Sequence, residues 1–450
     1  MYHPHKVQIN TPIHLLPTEI LIDIFRLACQ EDGTRVVNGH PLPNVSISLT
    51  CSHFRRIILE LCDVWTTIDF RLHWPLRVLT SYVTTILKRT GGMALNIVVR
   101  DGWRSISSPN VPPLFQRLFT KVTKVDTISF YISQYTLDYI PEVLLNNLPV
   151  PPRRLEIHHA AEFDTRPLHQ ARREPKDEKK PIMCPIRSCK YIDLVEELDL
   201  VDTSVYLDWL PTTFLSLKSF TQRRRLDQTR SSASIHGDYV FRRCPNLQTV
   251  TFEGRVHQEW VNWTRLPNNK FTLPLHTLTI TDHQCFIDFC MYFPDLRVPR
   301  LQKFTVETHD AQVLSEFLTR HPTITDLTLP WVMDGETIGV VCPRVARLSI
   351  PSGAVQLVLY QGDGAGFKAL KDLHIDCTAY SLSVDEFEDL VEMRVLCEQN
   401  ELTPQLSSLS LRLPQSEQKS KQDWTRSAYA KDAVKRWEGD VCYLSWPDYV

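Results

Sequence analysis

Along most of this chain one apolar triplet recurs, with an aliphatic residue or phenylalanine at positions one, four and six and mostly polar residues between them. The clearest copies are Leu247/Val250/Phe252, Leu275/Leu278/Ile280, Leu301/Phe304/Val306, Ile324/Leu327/Leu329, Val345/Leu348/Ile350, Leu370/Leu373/Ile375 and Leu406/Leu409/Leu411. Val195/Leu198/Leu200 also fits, Leu217/Phe220 fits in part, and Val125/Ile128/Phe130 and Leu155/Ile157 are earlier, degenerate copies. The alternation at the end of each triplet is that of a strand with one buried face. First positions 247, 275, 301, 324, 345 and 370 lie 28, 26, 23, 21 and 25 residues apart, which leaves room for one strand and a helix or turn. Proline keeps the phase. Pro245, Pro299, Pro322, Pro343 and Pro404 each stand two residues before a first position, where proline ends a helix and holds the chain extended.

Three of these prolines follow Cys244, His321 and Cys342, so those residues share one equivalent, buried place, and His321 is expected to be structural rather than a ligand. Between strands, Asp310 opens a helix through His321 with Val313, Leu314, Phe317 and Leu318 on one face. Ser383 to Glu386 is a capping box ahead of Phe387, Leu390 and Val391. Strand and crossover helix in alternation give parallel strands in right-handed coils. The period is that of leucine-rich repeats, and no repeat of this size buries its apolar side alone. The fold expected is therefore α/β, a curved solenoid of stacked repeats with parallel strands.

The first part of the chain follows another pattern. Leu16-Pro17-Thr18-Glu19-Ile20-Leu21-Ile22-Asp23-Ile24-Phe25 opens a helix, with proline at its start and a carboxylate in its first turn. Two adjoining apolar stripes follow, Ile20/Ile24/Leu27 and Leu21/Phe25/Ala28. One stripe satisfies a surface helix; the second needs a cover from its own domain or a partner. After a polar gap from Gln30 to Asn44 come Val45 to Leu59, containing Leu49, Cys51 and Phe54, and then Asp63-Val64-Trp65 ahead of a short strand.

Over residues 12 to 70 this order resembles the F-box: Leu-Pro-x-Glu-Ile-Leu, an Ile-Phe pair, a Cys-based helix with an aromatic residue, and a closing apolar-Trp pair. Phe54 stands where tryptophan is usual and Val64-Trp65 where Leu-Trp is usual, and the gap between the first two helices is long. With the repeats, the whole chain resembles an F-box protein of fungal type with C-terminal leucine-rich repeats. The resemblance implies a substrate-receptor subunit of a Skp–cullin–F-box ubiquitin ligase. It would bind a Skp-type adaptor, and through it a cullin–RING complex, and would hold a protein target on the repeats. The rival reading is an adaptor-binding or repeat scaffold with no part in ubiquitin transfer. By the same resemblance Pro17, Ile20, Leu21, Ile24 and Phe25 form the docking surface, with Leu49, Phe54 and Trp65 at or behind it. The divisions expected are an F-box over 10–70, a linker helix over 71–93 (Leu76, Leu79, Val83, Ile86 and Leu87 apolar, stopped by Gly91-Gly92) and a solenoid over 94–413. A charged insertion falls at about 160–190, and a C-terminal cap or tail at 414–450, with a capping helix over Asp423 to Trp437.

Composition adds exclusions. Fifty basic residues balance 52 acidic ones, so bulk charge attracts neither nucleic acid nor an anionic membrane. Met1 to Thr11 has no apolar run, no segment is long enough to span a bilayer, and the 12 cysteines are scattered. A reduced, cytoplasmic or nuclear setting is expected. No nucleotide loop, nucleophile elbow or His-Glu-x-x-His pattern occurs. Cys184 and Cys189, with His158, His159 and His169, and the pair Cys285 and Cys290, lack the usual zinc spacing. Neither enzymatic activity nor a metal or other cofactor is expected. Target contact is expected from polar strand positions on the concave face, Lys303, Asp326, Arg347, Asp372 and His374, and from the basic run Arg223, Arg224 and Arg225. The column Thr221, Thr251, Thr279, Thr305 and Thr328 is expected from strand propensity alone.

Overall fold

A computed structural model describes residues 13–30, 43–72, 74–100, 119, 122–132, 140–159, 191–202, 214–223, 241, 243–254, 272–329, 344–352, 369–376, 408–412 and 442–445. The described residues fall into two compact units, those up to Val195 in the first and those from Glu196 onward in the second.

The first unit opens with a 3-10 turn, Ile13–Leu15, and three helices: α1 (Thr18–Gln30), α2 (Pro43–Thr50) and α3 (Ser52–Glu60). Leu21 and Phe25 of α1 are buried with Phe54, Ile57 and Ile58 of α3, and Phe25 meets Phe54 edge-on at 5.1 Å. A second 3-10 turn, Cys62–Trp65, locks the bundle. Asn44, buried on α2, donates to the Val64 carbonyl (2.8 Å), and the indole N–H of buried Trp65 donates to Ile58 (2.7 Å). Strand β1 (Thr67–Arg71), helix α4 (Leu76–Arg89) and strand β2 (Leu95–Arg100) follow, then β3 (Val125–Ile132), α5 (Ile140–Asn147) and β4 (Pro152–His159). All the pairings from β1 to β4 are parallel and in sequence order.

Helix α4 buries Leu79, Val83 and Ile86, and Arg89 lies over the Trp65 ring at 4.2 Å. The helix expected as a linker is the crossover between two parallel strands, and Leu76 at its start is exposed rather than packed. Gly91, at φ 58, ends it in the left-handed region, where a side chain would also meet the Cys62 sulfur at 3.2 Å.

The second unit is one parallel sheet, again in sequence order: β5 (Glu197–Val201), β6 (Ser219–Arg223), β7 (Thr249–Glu253), β8 (Thr277–Ile280), β9 (Lys303–Val306), β10 (Asp326–Thr328), β11 (Arg347–Pro351), β12 (Asp372–Asp376), β13 (Ser408–Arg412) and β14 (Cys442–Ser445). One strand per repeat is the arrangement of stacked repeats. The expected repeat register is met: Thr221, Thr251, Thr279, Thr305, Thr328, Ser349, His374 and Ser410 are successive partners. All three apolar positions of the repeats starting at 247, 275, 301, 324, 345 and 370 are buried. Each such side chain is worth about 1.5–3 kcal/mol, so the triplets drive the stacking. The sheet does not stop at residue 413 as expected, because β14 adds a further strand to β13. Asp423 to Trp437 and the charged insertion lie outside the described residues.

Helices α6 (His283–Tyr292) and α7 (Ala311–Arg320) follow β8 and β9 and begin alike. Asp282 accepts from the Cys285 N–H (2.9 Å) and Asp310 from that of Val313 (3.0 Å). Asp310→Ala is expected to cost about 1 kcal/mol, read as a lower urea midpoint. Phe286, Phe304 and Phe317 pack between these helices and β9, with ring centres 4.7–5.9 Å apart. The second helix foreseen in the sequence, at 383–391, lies outside the described residues.

The proline phase has a local cause. In Cys244-Pro245, Val298-Pro299 and His321-Pro322 the carbonyl before proline accepts the N–H of the first apolar residue, Leu247, Leu301 or Ile324. His321 lies against Phe317 (4.4 Å between ring centres) and is buried, as its shared place with buried Cys244 predicts. Burial, helped by neighbouring Arg320, lowers its pKa to about 4. Between that value and about 6.5 the unfolded chain binds a proton that the folded chain does not. Stability therefore falls as pH drops through this window, and the full contribution of about 2–3 kcal/mol is present above it. His321→Val, which copies Val298, is expected to shrink the loss between pH 7 and pH 4.5 by that amount in urea unfolding.

Candidate functional site

Helix α1 displays its two stripes to different surroundings. Leu21 and Phe25 point into the bundle, at 0% and 3% exposure, while Ile20 (47%) and Leu27 (59%) face outward, with half-buried Ile24 between them. Pro17 is exposed at the helix start, and Ile13 (48%) and Leu15 (65%) stand out from the turn before it. Residues at i, i+4 and i+7 share one side of a helix, so Ile20, Ile24 and Leu27 form a continuous apolar strip. Leu21 and Phe25 are not on that surface, contrary to the resemblance: they are what anchors α1 to α3. Phe54 and Trp65 are fully inside, behind the strip, and Leu49 at the end of α2 is 67% exposed. Leu27, Leu15 and Ile13 extend the surface beyond the motif; outward apolar side chains at helical spacing were the available signal for Leu27.

The candidate target positions behave differently. Lys303, Asp326, Arg347 and Asp372 are successive partners across β9 to β12. Arg347 lies between two acids, 3.3 Å from Asp372 and 3.9 Å from Asp326. Arg223 is likewise 3.2 Å from Glu253 and 3.9 Å from Asp199. Arg223, Arg347, Asp326 and Asp372 are thus matched within the sheet and are weaker candidates for target contact than their sequence suggests, while Lys303 has no ion pair among the described residues. His374 shares a hydrogen bond with Ser410 on the next strand. Arg224 and Arg225 lie outside the described residues.

A densely connected polar face among the described residues belongs to the first unit and was missed in the sequence. On the side of β1–β4 away from the core, one row reads Asp69, Val98, Ser129, Glu156 and the next Arg71, Arg100, Tyr131, His158. Arg100 Nε donates to both Asp69 oxygens (3.1 and 3.2 Å), and both side chains are buried. The Arg100 guanidinium lies over Tyr131 (4.4 Å), which stacks on His158 (4.3 Å). Burial holds the Asp69 carboxyl above its ordinary pKa, with Arg100 pulling the other way. Burial also opposes the Glu156 charge, yet His158, Ser129 (2.6 Å) and Arg154 together keep its carboxyl below the usual range. Only alternation of polar residues in a strand hinted at this face, and alternation does not reveal partners.

The remaining chemistry is quiet. The Cys285 thiol is pushed well up by burial, and those of Cys244 and Cys290 to about 12, so all three are neutral thiols rather than nucleophiles. Cys184, Cys189 and His169 lie outside the described residues. Among the described residues no group of three or more His, Cys, Asp or Glu could hold a metal ion, and no helix is long and apolar enough to cross a membrane.

No protein-family model matches the chain, and no curated protein matches it. Among solved structures, a crystal structure of a protein from Bacteroides fragilis is similar over 75% of this chain and 72% of its own, with 11% identity and a TM-score of 0.25. A likeness at that level carries no argument about function.

Proposed function

We propose that the chain is an F-box protein with C-terminal leucine-rich repeats. In this reading it acts as a substrate-receptor subunit of a Skp–cullin–F-box ubiquitin ligase, working in the cytoplasm or nucleus. The observation that carries this is the outward strip Ile20, Ile24 and Leu27 on a helix whose other stripe already fills its own bundle. Exposed apolar side chains at helical spacing fit a groove on a partner. The Leu-Pro-x-Glu start, the Cys51 helix and the closing Trp65 match the motif order that would direct that strip to a Skp-type adaptor. The stacked parallel strands of the second unit suit the other half of the role, presenting a long surface to a protein target. Such a receptor needs no reactive group of its own, because holding a target lysine near the ubiquitin thioester raises their effective concentration.

The test is co-purification of the full chain with a Skp-type adaptor and a cullin. Recovery of both supports the ligase reading. Recovery of the adaptor without any cullin favours the scaffold alternative, and recovery of neither rejects the docking assignment.

A further inference from the structure

Along the second unit, two successive N–H groups at each strand start share one carbonyl of the repeat before. Gln302 and Lys303 donate to His276, Thr325 and Asp326 to Gln302, and Ala346 and Arg347 to Thr325. This ladder fixes which side chains are neighbours on the rim where the strands begin. Arg300 stands two residues before Gln302 and Arg344 two before Ala346, and Thr323 holds the same place in the repeat between them. Arg300, Lys303 and Arg344 are all exposed. None of the three has an anionic group in ion-pair range among the described residues, whereas Arg347 beside them is shared by Asp326 and Asp372.

Exposed cations with no ion-pair partner among the described residues are available to an outside anion. Parallel strands lie about 4.8 Å apart, so Arg300 and Arg344, two repeats apart, are separated by about 10 Å along the rim. One turn of an extended polyproline II segment, three residues at about 3.1 Å each, spans the same distance and brings side chains three residues apart back to one face. We propose that this rim binds an extended acidic segment of a protein partner, with carboxylates three residues apart seated on Arg300 and Arg344 and with Lys303 beside the first. Guanidinium groups grip carboxylates through paired N–H donors, which sets register as well as charge. A peptide fits better than a nucleic acid. A phosphodiester chain carries charge at every step and would meet Asp326 and Asp372, while spaced carboxylates leave those acids uncontacted. The proposal rests on the second unit alone and holds or fails independently of adaptor docking.

The experiment titrates the full chain into a fluorescein-labelled peptide with glutamate at every third position, read by fluorescence anisotropy at low salt. A matched peptide with glutamine in place of glutamate and a single-stranded oligonucleotide of equal charge are run beside it. Expected are binding of the acidic peptide in preference to both, and a loss of about tenfold or more in Arg300→Glu/Arg344→Glu. Arg347→Ala removes a cation already matched and is expected to change the affinity by less than about twofold. All the substituted side chains are exposed, and circular dichroism confirms that the variants stay folded. Equal binding of the glutamine peptide, tighter binding of the oligonucleotide, or an unchanged affinity in the double variant would overturn the proposal.

Discussion

Ile20→Asp/Leu27→Asp is expected to weaken capture of a Skp-type adaptor by at least about a hundredfold while leaving the N-terminal helices folded. Both side chains already face water, at 47% and 59% exposure, so the free chain loses little when they become carboxylates. In a complex the balance differs. Burying an isoleucine or leucine is worth about 1.5–3 kcal/mol, and two such losses correspond to roughly a hundredfold to ten-thousandfold in affinity. The new carboxylates would also be stripped of water without a partner. Leu21→Ala is the informative contrast. Leu21 is fully buried, so its truncation is expected to cost about 2–5 kcal/mol of bundle stability and to reduce capture only through unfolding. Pull-down with purified adaptor, paired with circular dichroism, separates the two. Undiminished capture by the double aspartate variant would show that the strip is not the docking surface.

The two stripes of α1 were legible as a pattern, because helical spacing alone places Ile20, Ile24 and Leu27 apart from Leu21 and Phe25. Which stripe the bundle would keep was not, since that choice depends on Phe54 and Ile58 from a helix some thirty residues away. The repeats were legible for a similar reason. Burial at three fixed positions is local and recurs, and proline two residues before five of the copies marks their phase. Strand β2 escaped notice although Leu95, Ile97 and Val99 alternate properly, because it has no proline marker and lies just past a helix that read as a linker. Strand β14 escaped because its partner β13 ends at Arg412, with 29 intervening residues before Cys442. The charges misled for a different reason. Arg347 looks available in the sequence, yet its two partners stand one strand away on each side, and only the register brings them together.

The Asp69–Arg100 pair extends that lesson to energetics. Asp69→Ala is expected to destabilise the first unit by about 3–5 kcal/mol, because it leaves the Arg100 guanidinium buried without its counter-charge. The pair itself need not be worth that much. Two ions taken out of water gain back only part of their hydration through mutual attraction, so most of the cost belongs to the charge left behind. The signature is therefore strong non-additivity. Asp69→Leu/Arg100→Met removes both charges and is expected to recover most of the stability lost in Asp69→Ala, with methionine keeping a favourable contact to the Tyr131 ring. Stacked repeats do not always unfold in one step, so a single global transition would blur the effect. Amide exchange at β1 and β2 reads it locally, since Leu72 donates to the Arg100 carbonyl and Asn96 to that of Thr66 across this very pair of strands. Protection lost in the single variant and regained in the double would place the cost on the unpaired charge. Equal loss in both would place it on packing instead, and would mean that this buried polar face is held mainly by its stacked rings.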